Sequence, residues 1–149
     1  MTARLLAMDC VFCDLLATDS AQWVAKEQAA VAFSPLPGSE IAPGHTLVVP
    51  RRHCDLGVLD VGPDDLAATS ELVRRVARAM VDALGATGVC VLNASGPGSG
   101  RSLDHLHFHV VPRYPGDGDD TLPWPTGRST HQLDGDPRSL LAAVLMSTS

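Results

Sequence analysis

The sequence lacks any run of about 18 uninterrupted apolar residues, which is the length that a membrane-spanning helix requires. The opening segment, MTARLLAMDCVFCDLL, also lacks the long apolar centre and the small-residue cleavage site of a secretory signal, because Asp9 interrupts its apolar stretch. We therefore expect a cytoplasmic protein with no membrane partner.

Positive charge is also scarce, since 11 Lys and Arg stand against 17 Asp and Glu and the formal net charge is −6. Proteins that bind nucleic-acid backbones need clustered lysine and arginine side chains to displace counterions, so duplex nucleic acid is excluded as a partner. The densest basic group, Arg74, Arg75 and Arg78, falls inside a helical pattern and is interpreted as the solvated face of that helix.

Cysteine is infrequent, with four in 149 residues, and in a reducing compartment these favour thiols or metal ligands over disulfides. Cys10 and Cys13 have the spacing that lets two thiolates reach one tetrahedral zinc ion, but a pair is only half of such a site. A redox pair would open a helix after a strand within a βαβ unit, a pattern not found here, and burial as small core residues is the third interpretation. Cys90 lies in an apolar strand and is expected in the core.

A chain of 149 residues with 45% hydrophobic composition can bury one core and is short for two domains. Pro63, Asp64 and Asp65 are typical of a helix start and Gly85 of a helix end, which predicts one long helix over 63–84. The remaining patterns predict a hairpin at 22–33, strands at 45–50, 88–93 and 105–114, and a short helix at 139–146. This order predicts an α+β fold, an antiparallel sheet with one main packed helix and a short C-terminal helix. Residues 1–114 should form the domain, and 115–149 a partly irregular extension.

Three histidines, His105, His107 and His109, alternate with apolar residues in HLHFHVV. Strand side chains alternate between faces, so all three imidazoles should lie on one face. Two chemistries can use them: a catalytic metal site with an open position for water, or nucleophilic catalysis in which the central imidazole attacks phosphorus. The pKa of an ordinary imidazole lies near 6.5, so a neutral nucleophile is available at cytoplasmic pH.

The segment before these histidines, ASGPGSGRSLD, is rich in glycine and serine. Glycines let backbone N–H groups approach an anion closely, and hydroxyl groups add donors. A phosphate cradle beside three histidines favours phosphorus chemistry.

HLHFHVV fits the alternating signature of the histidine-triad superfamily, and APGHTLVVPRRH at 42–53 resembles the second block of that family. The similarity covers about residues 8–114. It implies a HIT-like domain and a hydrolase or nucleotidyl transferase that acts at the α-phosphate of a nucleotide through a covalent nucleotidyl-histidine. The linkages implied are phosphoramidate, acyl-phosphate or dinucleoside polyphosphate.

By this resemblance, the catalytic residues are His107 as the nucleophile, His109 as the group that holds phosphate and leaving group, and His105, whose backbone sets the tautomer of His107. The substrate-binding positions that match the family are Asn93, Gly100, Ser102 and His45. Arg101 stands where the family commonly has glutamine. It can fork onto phosphate oxygens or pair with Asp104.

Family members with C-x-x-C near the amino terminus use both cysteines and two histidines to hold a structural zinc. The resemblance therefore implies one zinc per chain, held by Cys10, Cys13, His53 and His105, and no catalytic cofactor. It also implies a homodimer, in which Trp124 of the C-terminal extension stacks on a base or lies at the interface.

Close relatives place a carboxylate for ribose shortly after the phenylalanine that ends the second strand, whereas Ser34, Pro35 and Leu36 follow Phe33 here. We expect the next carboxylate, Glu40, to be exposed to solvent. Two alternatives stay open: a nucleotide-binding or scaffold protein with little catalysis, and a hydrolase with catalytic zinc on the three histidines.

Overall fold

The computed structural model describes residues 10–99, 103–117 and 130–148 of the chain. Its elements, in chain order, are α1 (Val11–Thr18), β1 (Trp23–Lys26), β2 (Ala30–Phe33), β3 (Thr46–Pro50), a 3-10 turn (Gly57–Leu59), α2 (Pro63–Leu84), β4 (Gly88–Leu92), β5 (Phe108–Arg113) and α3 (Pro137–Thr148). The expected α+β class, with one main helix and a short C-terminal helix, is confirmed.

The five strands form one antiparallel sheet in the order β1-β2-β3-β5-β4. The predicted hairpin is present as β1 and β2, and β5 enters between β3 and β4, where it pairs with both. Leu47 of β3 lies opposite His109 of β5, so the histidine segment runs through the interior of the sheet.

Helix α2 has the bounds that the sequence predicts, with Asp64 and Asp65 in its first turn and Gly85 as its C-cap in the left-handed region at φ 74°. One face buries four apolar side chains against β2, β3 and β5, and these are Leu72, Val73, Val76 and Met80. Each such burial contributes about 1.5–3 kcal/mol, so this face is the main source of hydrophobic stabilisation on its side of the sheet.

The basic residues of α2 lie on its exposed face, as expected. Arg74 bonds Glu71, Arg75 bonds Glu27, and Arg78 bonds Asp82. These partners are acidic side chains of the same chain, which agrees with the interpretation of a solvated helix face.

The opposite face of the sheet is partly covered by α1, which the sequence analysis did not anticipate. Phe12 of α1 packs with Phe33, Leu47 and Val49 in a second apolar cluster. The Cys10 side chain accepts the N–H of Cys13 at 3.4 Å and caps the helix, and Asp19 ends it at φ 52°. The two helices therefore lie on opposite faces, and the histidines share the α1 face.

Helix α3 begins where Asp136 accepts the backbone N–H and the hydroxyl of Ser139, at 3.0 and 2.6 Å. It extends two residues beyond the predicted 139–146 at each end. Within the described ranges, no helix combines the length and apolar character needed to cross a bilayer.

Candidate functional site

The three histidines lie at and just before the start of β5, on the face opposite α2. The ladder begins at Phe108 rather than at the predicted 105, because the register would place Leu106 opposite Pro50, which has no N–H to donate. His105 instead donates from Nε2 to the carbonyl oxygen of Pro50 at 2.8 Å. Phe108 and Val110 pack in the core under α2, so the intervening histidines face the other way.

His107 is 4% exposed, and its Nδ1 lies 2.8 Å from the carbonyl oxygen of His105. A carbonyl oxygen only accepts hydrogen bonds, so Nδ1 carries the proton and Nε2 keeps its lone pair. Burial lowers the pKa of His107 below its usual 6.5. The hydrogen bond to the His105 carbonyl raises this pKa, but its effect is smaller than that of burial. The imidazole is therefore neutral near pH 7, with a free basic nitrogen.

The tautomers of His45 and His109 are fixed by a chain of hydrogen bonds that starts at Ile41. The N–H of Ile41 donates to Nδ1 of His45 at 3.1 Å, so the neutral His45 carries its proton on Nε2. That Nε2 lies 3.0 Å from Nδ1 of His109, which must accept. The proton of neutral His109 is consequently on Nε2. Burial, with His107 and His45 adding to it, lowers the pKa of His109 to about 4, so this neutral form dominates at pH 7.

Asn93 secures the backbone of the nucleophile candidate, because its Nδ2 donates to the carbonyl oxygen of His107 at 2.9 Å. The glycine-rich loop begins directly after it, and Gly96 and Gly98 adopt φ values of 87° and 74°, which side chains disfavour. Three expected substrate-binding positions of this loop lie outside the described residues, namely Gly100, Arg101 and Ser102. Trp124 also lies outside them.

Phe12 lines the site, although the sequence analysis did not single it out. Its ring contacts those of His107 and His105 edge-on, with centroids 5.2 and 5.5 Å apart. The signal available in the sequence was its place inside the Cys10–Cys13 spacing, since any cluster that gathers these cysteines near His105 brings Phe12 with it.

The second feature of the site is a cluster of two thiols and two imidazoles. The Sγ of Cys10 lies 3.3 Å from Nδ1 of His105, and the Sγ of Cys13 lies 3.4 Å from Nδ1 of His53 and 3.6 Å from Nδ1 of His105. All four ligand atoms lie within 4.8 Å of one another. Zn–S bonds of about 2.3 Å and Zn–N bonds of about 2.0–2.1 Å at tetrahedral angles separate ligand atoms by roughly 3.3–3.8 Å. The four residues therefore fit a tetrahedral ion.

The hydrogen bonds made by the Nε2 atoms of His105 and His53 leave the Nδ1 atoms of both imidazoles available as metal ligands. His105 donates from Nε2 to Pro50, and Nε2 of His53 lies 2.7 Å from a carboxylate oxygen of Asp55. Both Nδ1 atoms consequently present lone pairs to the thiols, as metal-ligating histidines do. Burial, followed by the neighbouring Cys10, raises the pKa of the Cys13 thiol to about 12, so a pair of thiolates here requires a cation.

Of the other interpretations of the cysteines, burial applies to Cys10, which is 7% exposed and lies in the apolar cluster of Phe12, whereas the redox interpretation is not supported. The Cys10–Cys13 pair does open a helix, but among the described residues no strand precedes it and the sheet is antiparallel, so the βαβ setting of a redox pair is not found. Cys90 is only partly buried, because its strand lies at the edge of the sheet, and Arg113 donates to its sulfur at 3.5 Å. Its expected place in the core is therefore only partly realised.

The residues directly after β2 provide no carboxylate at the position where close relatives bind ribose. Ser34 and Glu40 are exposed, as expected for Glu40, and Glu40 accepts the N–H of Gly38 at 2.9 Å. Both residues and His45 line a cavity of about 470 Å³. A carboxylate thus lies near the site, on a different element from the one that the family pattern suggests.

Three imidazoles on one face of an antiparallel sheet, one of which belongs to a cluster of two thiols and two imidazoles, define the class of this small α+β protein. The family model described as HIT domain matches residues 20–116, and the chain belongs to this histidine-triad family.

The chain is similar to three known proteins. It is 34% identical over 137 residues to Protein hit of Bacillus subtilis, which covers 90% of this chain and 88% of that protein. It is 27% identical over 106 residues to the adenosine 5'-monophosphoramidase of Schizosaccharomyces pombe, covering 71% and 75% of the two chains. The crystal structure of a zinc-bound histidine triad family protein from Mycobacterium smegmatis superposes with a TM-score of 0.68 at 26% identity, covering 96% of this chain and 99% of the other.

Proposed function

We propose that this protein is a nucleoside phosphate hydrolase or nucleotidyl transferase that acts at the α-phosphate through a covalent intermediate on His107. The observation that carries the proposal is the hydrogen bond from Nδ1 of His107 to the His105 carbonyl, which leaves Nε2 as a buried, neutral nucleophile. A neutral nucleophile of this kind suits attack on phosphorus at pH 7.

In the first step, Nε2 of His107 forms a bond to the α-phosphorus as the bond to the leaving group breaks. The imidazole becomes cationic, and the His105 carbonyl that accepts from its Nδ1 stabilises that charge. His109 holds its proton on Nε2, because Nδ1 accepts from His45, and donates a hydrogen bond from Nε2 to the leaving group, which takes its proton from solvent as it departs.

In the second step, water or another acceptor attacks phosphorus and the bond to Nε2 of His107 breaks. The acceptor releases its proton to solvent while Nε2 of His109 donates a hydrogen bond to the phosphate, and His107 returns to its neutral form with the proton on Nδ1. Both displacements therefore use the same two imidazoles, and the nucleotide leaves as the hydrolysed or transferred product.

We further propose that Cys10, Cys13, His53 and His105 hold one structural zinc. The four ligand atoms lie within 4.8 Å of one another, and the bonds of His53 and His105 to Asp55 and Pro50 orient their Nδ1 atoms. Bound zinc would supply a closed tetrahedral tie with no open position for water. The zinc-bound relative from Mycobacterium smegmatis supports this assignment.

The geometry favours this reaction over a catalytic metal held by the three histidines. Nδ1 of His105 points to the thiols, Nδ1 of His107 to a carbonyl and Nδ1 of His109 to His45. In the described part of the chain, the group whose ligand atoms could share a metal ion is the thiol and imidazole cluster.

Three further assignments complete the proposal: a homodimer, which rests on the family resemblance, and a cytoplasmic location and a domain over residues 1–114 with a C-terminal extension, which rest on the sequence patterns. A monomer mass by light scattering at micromolar concentration would contradict the dimer. The name of the Schizosaccharomyces pombe relative makes an adenylate phosphoramidate the first substrate to test.

The deciding experiment is rapid quenching of the purified protein with an adenylate phosphoramidate and, separately, a diadenosine polyphosphate, followed by mass spectrometry of the chain. We expect a nucleotide-mass adduct on His107, and loss of both adduct and turnover in His107→Gly. The matched control is His131→Gly, which removes an exposed imidazole and should keep both. Turnover that survives in His107→Gly would refute the assignment, and saturable nucleotide binding without turnover would favour a binding protein.

A further inference from the structure

A chain of hydrogen bonds connects the 3-10 turn after β3 to the backbone of His107. The N–H of Val58 donates to Oγ of Ser95 at 3.0 Å, and the Ser95 hydroxyl donates to Oδ1 of Asn93 at 2.7 Å. The Nδ2 of Asn93 then donates to the carbonyl oxygen of His107 at 2.9 Å. The residues that match the family pattern do not include Ser95.

The donors and acceptors of this chain allow one orientation of the Asn93 amide. The N–H of Val58 can only donate, so Ser95 accepts there and has one proton to give, which goes to Oδ1 of Asn93. If the amide were rotated by half a turn, its oxygen would face the carbonyl oxygen of His107, and two acceptors would meet. The serine hydroxyl would also lose the acceptor of its proton.

The 3-10 turn packs against Ser95 and restricts the position of its hydroxyl. Gly57 opens this turn at φ 62°, and a Cβ added there would overlap the Oγ of Ser95. The backbone of the turn therefore packs directly against the serine side chain. Because Ser95 and Asn93 are both only partly buried, water could otherwise compete for the amide, and a fixed hydroxyl opposes that competition.

We propose that Ser95 is a positioning residue, which orients the Asn93 amide so that its nitrogen holds the His107 carbonyl. The link to catalysis rests on the proposed function, since His107 is there the nucleophile. The hydrogen bond to the His107 carbonyl fixes the peptide group that follows the Cα of His107, and this Cα carries the imidazole.

The test is a double-mutant cycle on Ser95→Ala and Asn93→Ala in the full chain, read as the single-turnover rate constant for an adenylate phosphoramidate. We expect Ser95→Ala to lower that rate constant about three- to tenfold, the fold-change that one net hydrogen bond corresponds to, with little change in KM. In the Asn93→Ala background, Ser95→Ala should cause no further loss. The matched control is Ser70→Ala, which removes a hydroxyl that donates to the Leu66 carbonyl oxygen within α2 and should leave the rate unchanged.

Losses that multiply in the double variant would overturn the proposal, because Ser95 would then act independently of Asn93. Urea unfolding of each variant separates a stability loss from a rate loss, since a merely structural serine would lower the unfolding midpoint without this coupling.

A second measurement does not need turnover and keeps the two proposals distinguishable. The side-chain amide protons of Asn93 and the carbonyl ¹³C shift of His107 can be followed by NMR. We expect Ser95→Ala to speed solvent exchange of the amide and to move the carbonyl resonance, whereas Ser70→Ala should do neither. Unchanged exchange and shift in Ser95→Ala would overturn the positioning role even in an active protein. Altered exchange and shift in a protein with no turnover would support the positioning of the backbone while refuting the proposed function.

Discussion

Truncation of Phe12 to alanine should cost both stability and the apolar surroundings of His107. Phe12 is 5% exposed and packs with Phe33 in the cluster between α1 and the sheet, with ring centroids 5.5 Å apart. Phenylalanine-to-alanine changes at such positions cost about 3–5 kcal/mol, because the lost transfer free energy adds to that of the cavity. We expect a loss in this range, measured as the free energy of unfolding in urea.

The same change should raise the pKa of His107. Burial is the main cause of its lowered pKa, and the Phe12 ring, whose centroid lies 5.2 Å from that of the imidazole, supplies part of that burial. A cavity beside the imidazole admits water, which favours the charged form. An NMR titration of the imidazole resonances should therefore show the His107 pKa move up towards 6.5.

Phe12→Leu is the matched control, because leucine keeps most of the volume and apolar character at a cost below about 1.5 kcal/mol. It should leave the His107 pKa close to that of the unmodified protein. A pKa in Phe12→Ala that stays constant or falls would refute the reasoning that the phenylalanine ring keeps water from this imidazole.

Three further predictions follow from the hydrogen bonds and the metal cluster. His45→Ala removes the donor to Nδ1 of His109, so long-range ¹H–¹⁵N NMR should show the His109 proton move from Nε2 towards Nδ1; an unchanged tautomer would contradict the chain through Ile41. Because burial lowers the pKa of His109 to about 4, the unfolded state binds more protons between about pH 6.5 and 4, and stability should fall as the pH falls through this window. Urea unfolding should show His109→Gln losing about 1–2 kcal/mol less than the unmodified protein, a figure discounted for the solvent near this half-buried group, and equal losses would refute it. Chelation should lower the thermal midpoint and make Cys10 and Cys13 reactive to thiol reagents, with one equivalent of zinc reversing both; a metal-free protein of full stability would exclude the structural ion.

The long helix and the positions of the strands along the chain followed from the sequence because local signals agreed with the final packing. Pro63, the acidic first turn and Gly85 define α2 by themselves, and the alternation in the histidine segment identified the face that β5 presents. The start of β5 was less predictable, since it depends on Pro50 of another strand, which is a long-range effect.

Helix α1 was missed because its eight residues carry no side-chain signal of the usual kind at the amino end. Its cap is the thiol of Cys10, a residue whose spacing to Cys13 drew attention to metal binding instead. The network of Ser95 was also out of reach, since Val58 and Ser95 are 37 positions apart and meet only in the folded chain.

The four residues of the metal cluster were named from spacing and resemblance, and the structure brings them together. What sequence could not supply was the choice of nitrogen on each imidazole, because this depends on acceptors such as the Pro50 carbonyl and the Asp55 carboxylate. The tautomer of each histidine depends on hydrogen-bond partners that come together only in the folded chain. Here the tautomers determine which nitrogens face the thiols and which imidazole has a lone pair for attack on phosphorus.

The group that fixes the tautomer of His107 is a main-chain carbonyl, and this limits what point mutation can do to it. Any residue at position 105 contributes the same oxygen, so a codon change there could abolish the side-chain ligand while leaving the acceptor for Nδ1 in place. Only a displacement of the chain, or replacement of the peptide bond by chemical synthesis, can remove that acceptor. Random mutagenesis is therefore expected to recover variants of His105 that lack its Nδ1 in the cluster yet keep the proton of His107 on Nδ1.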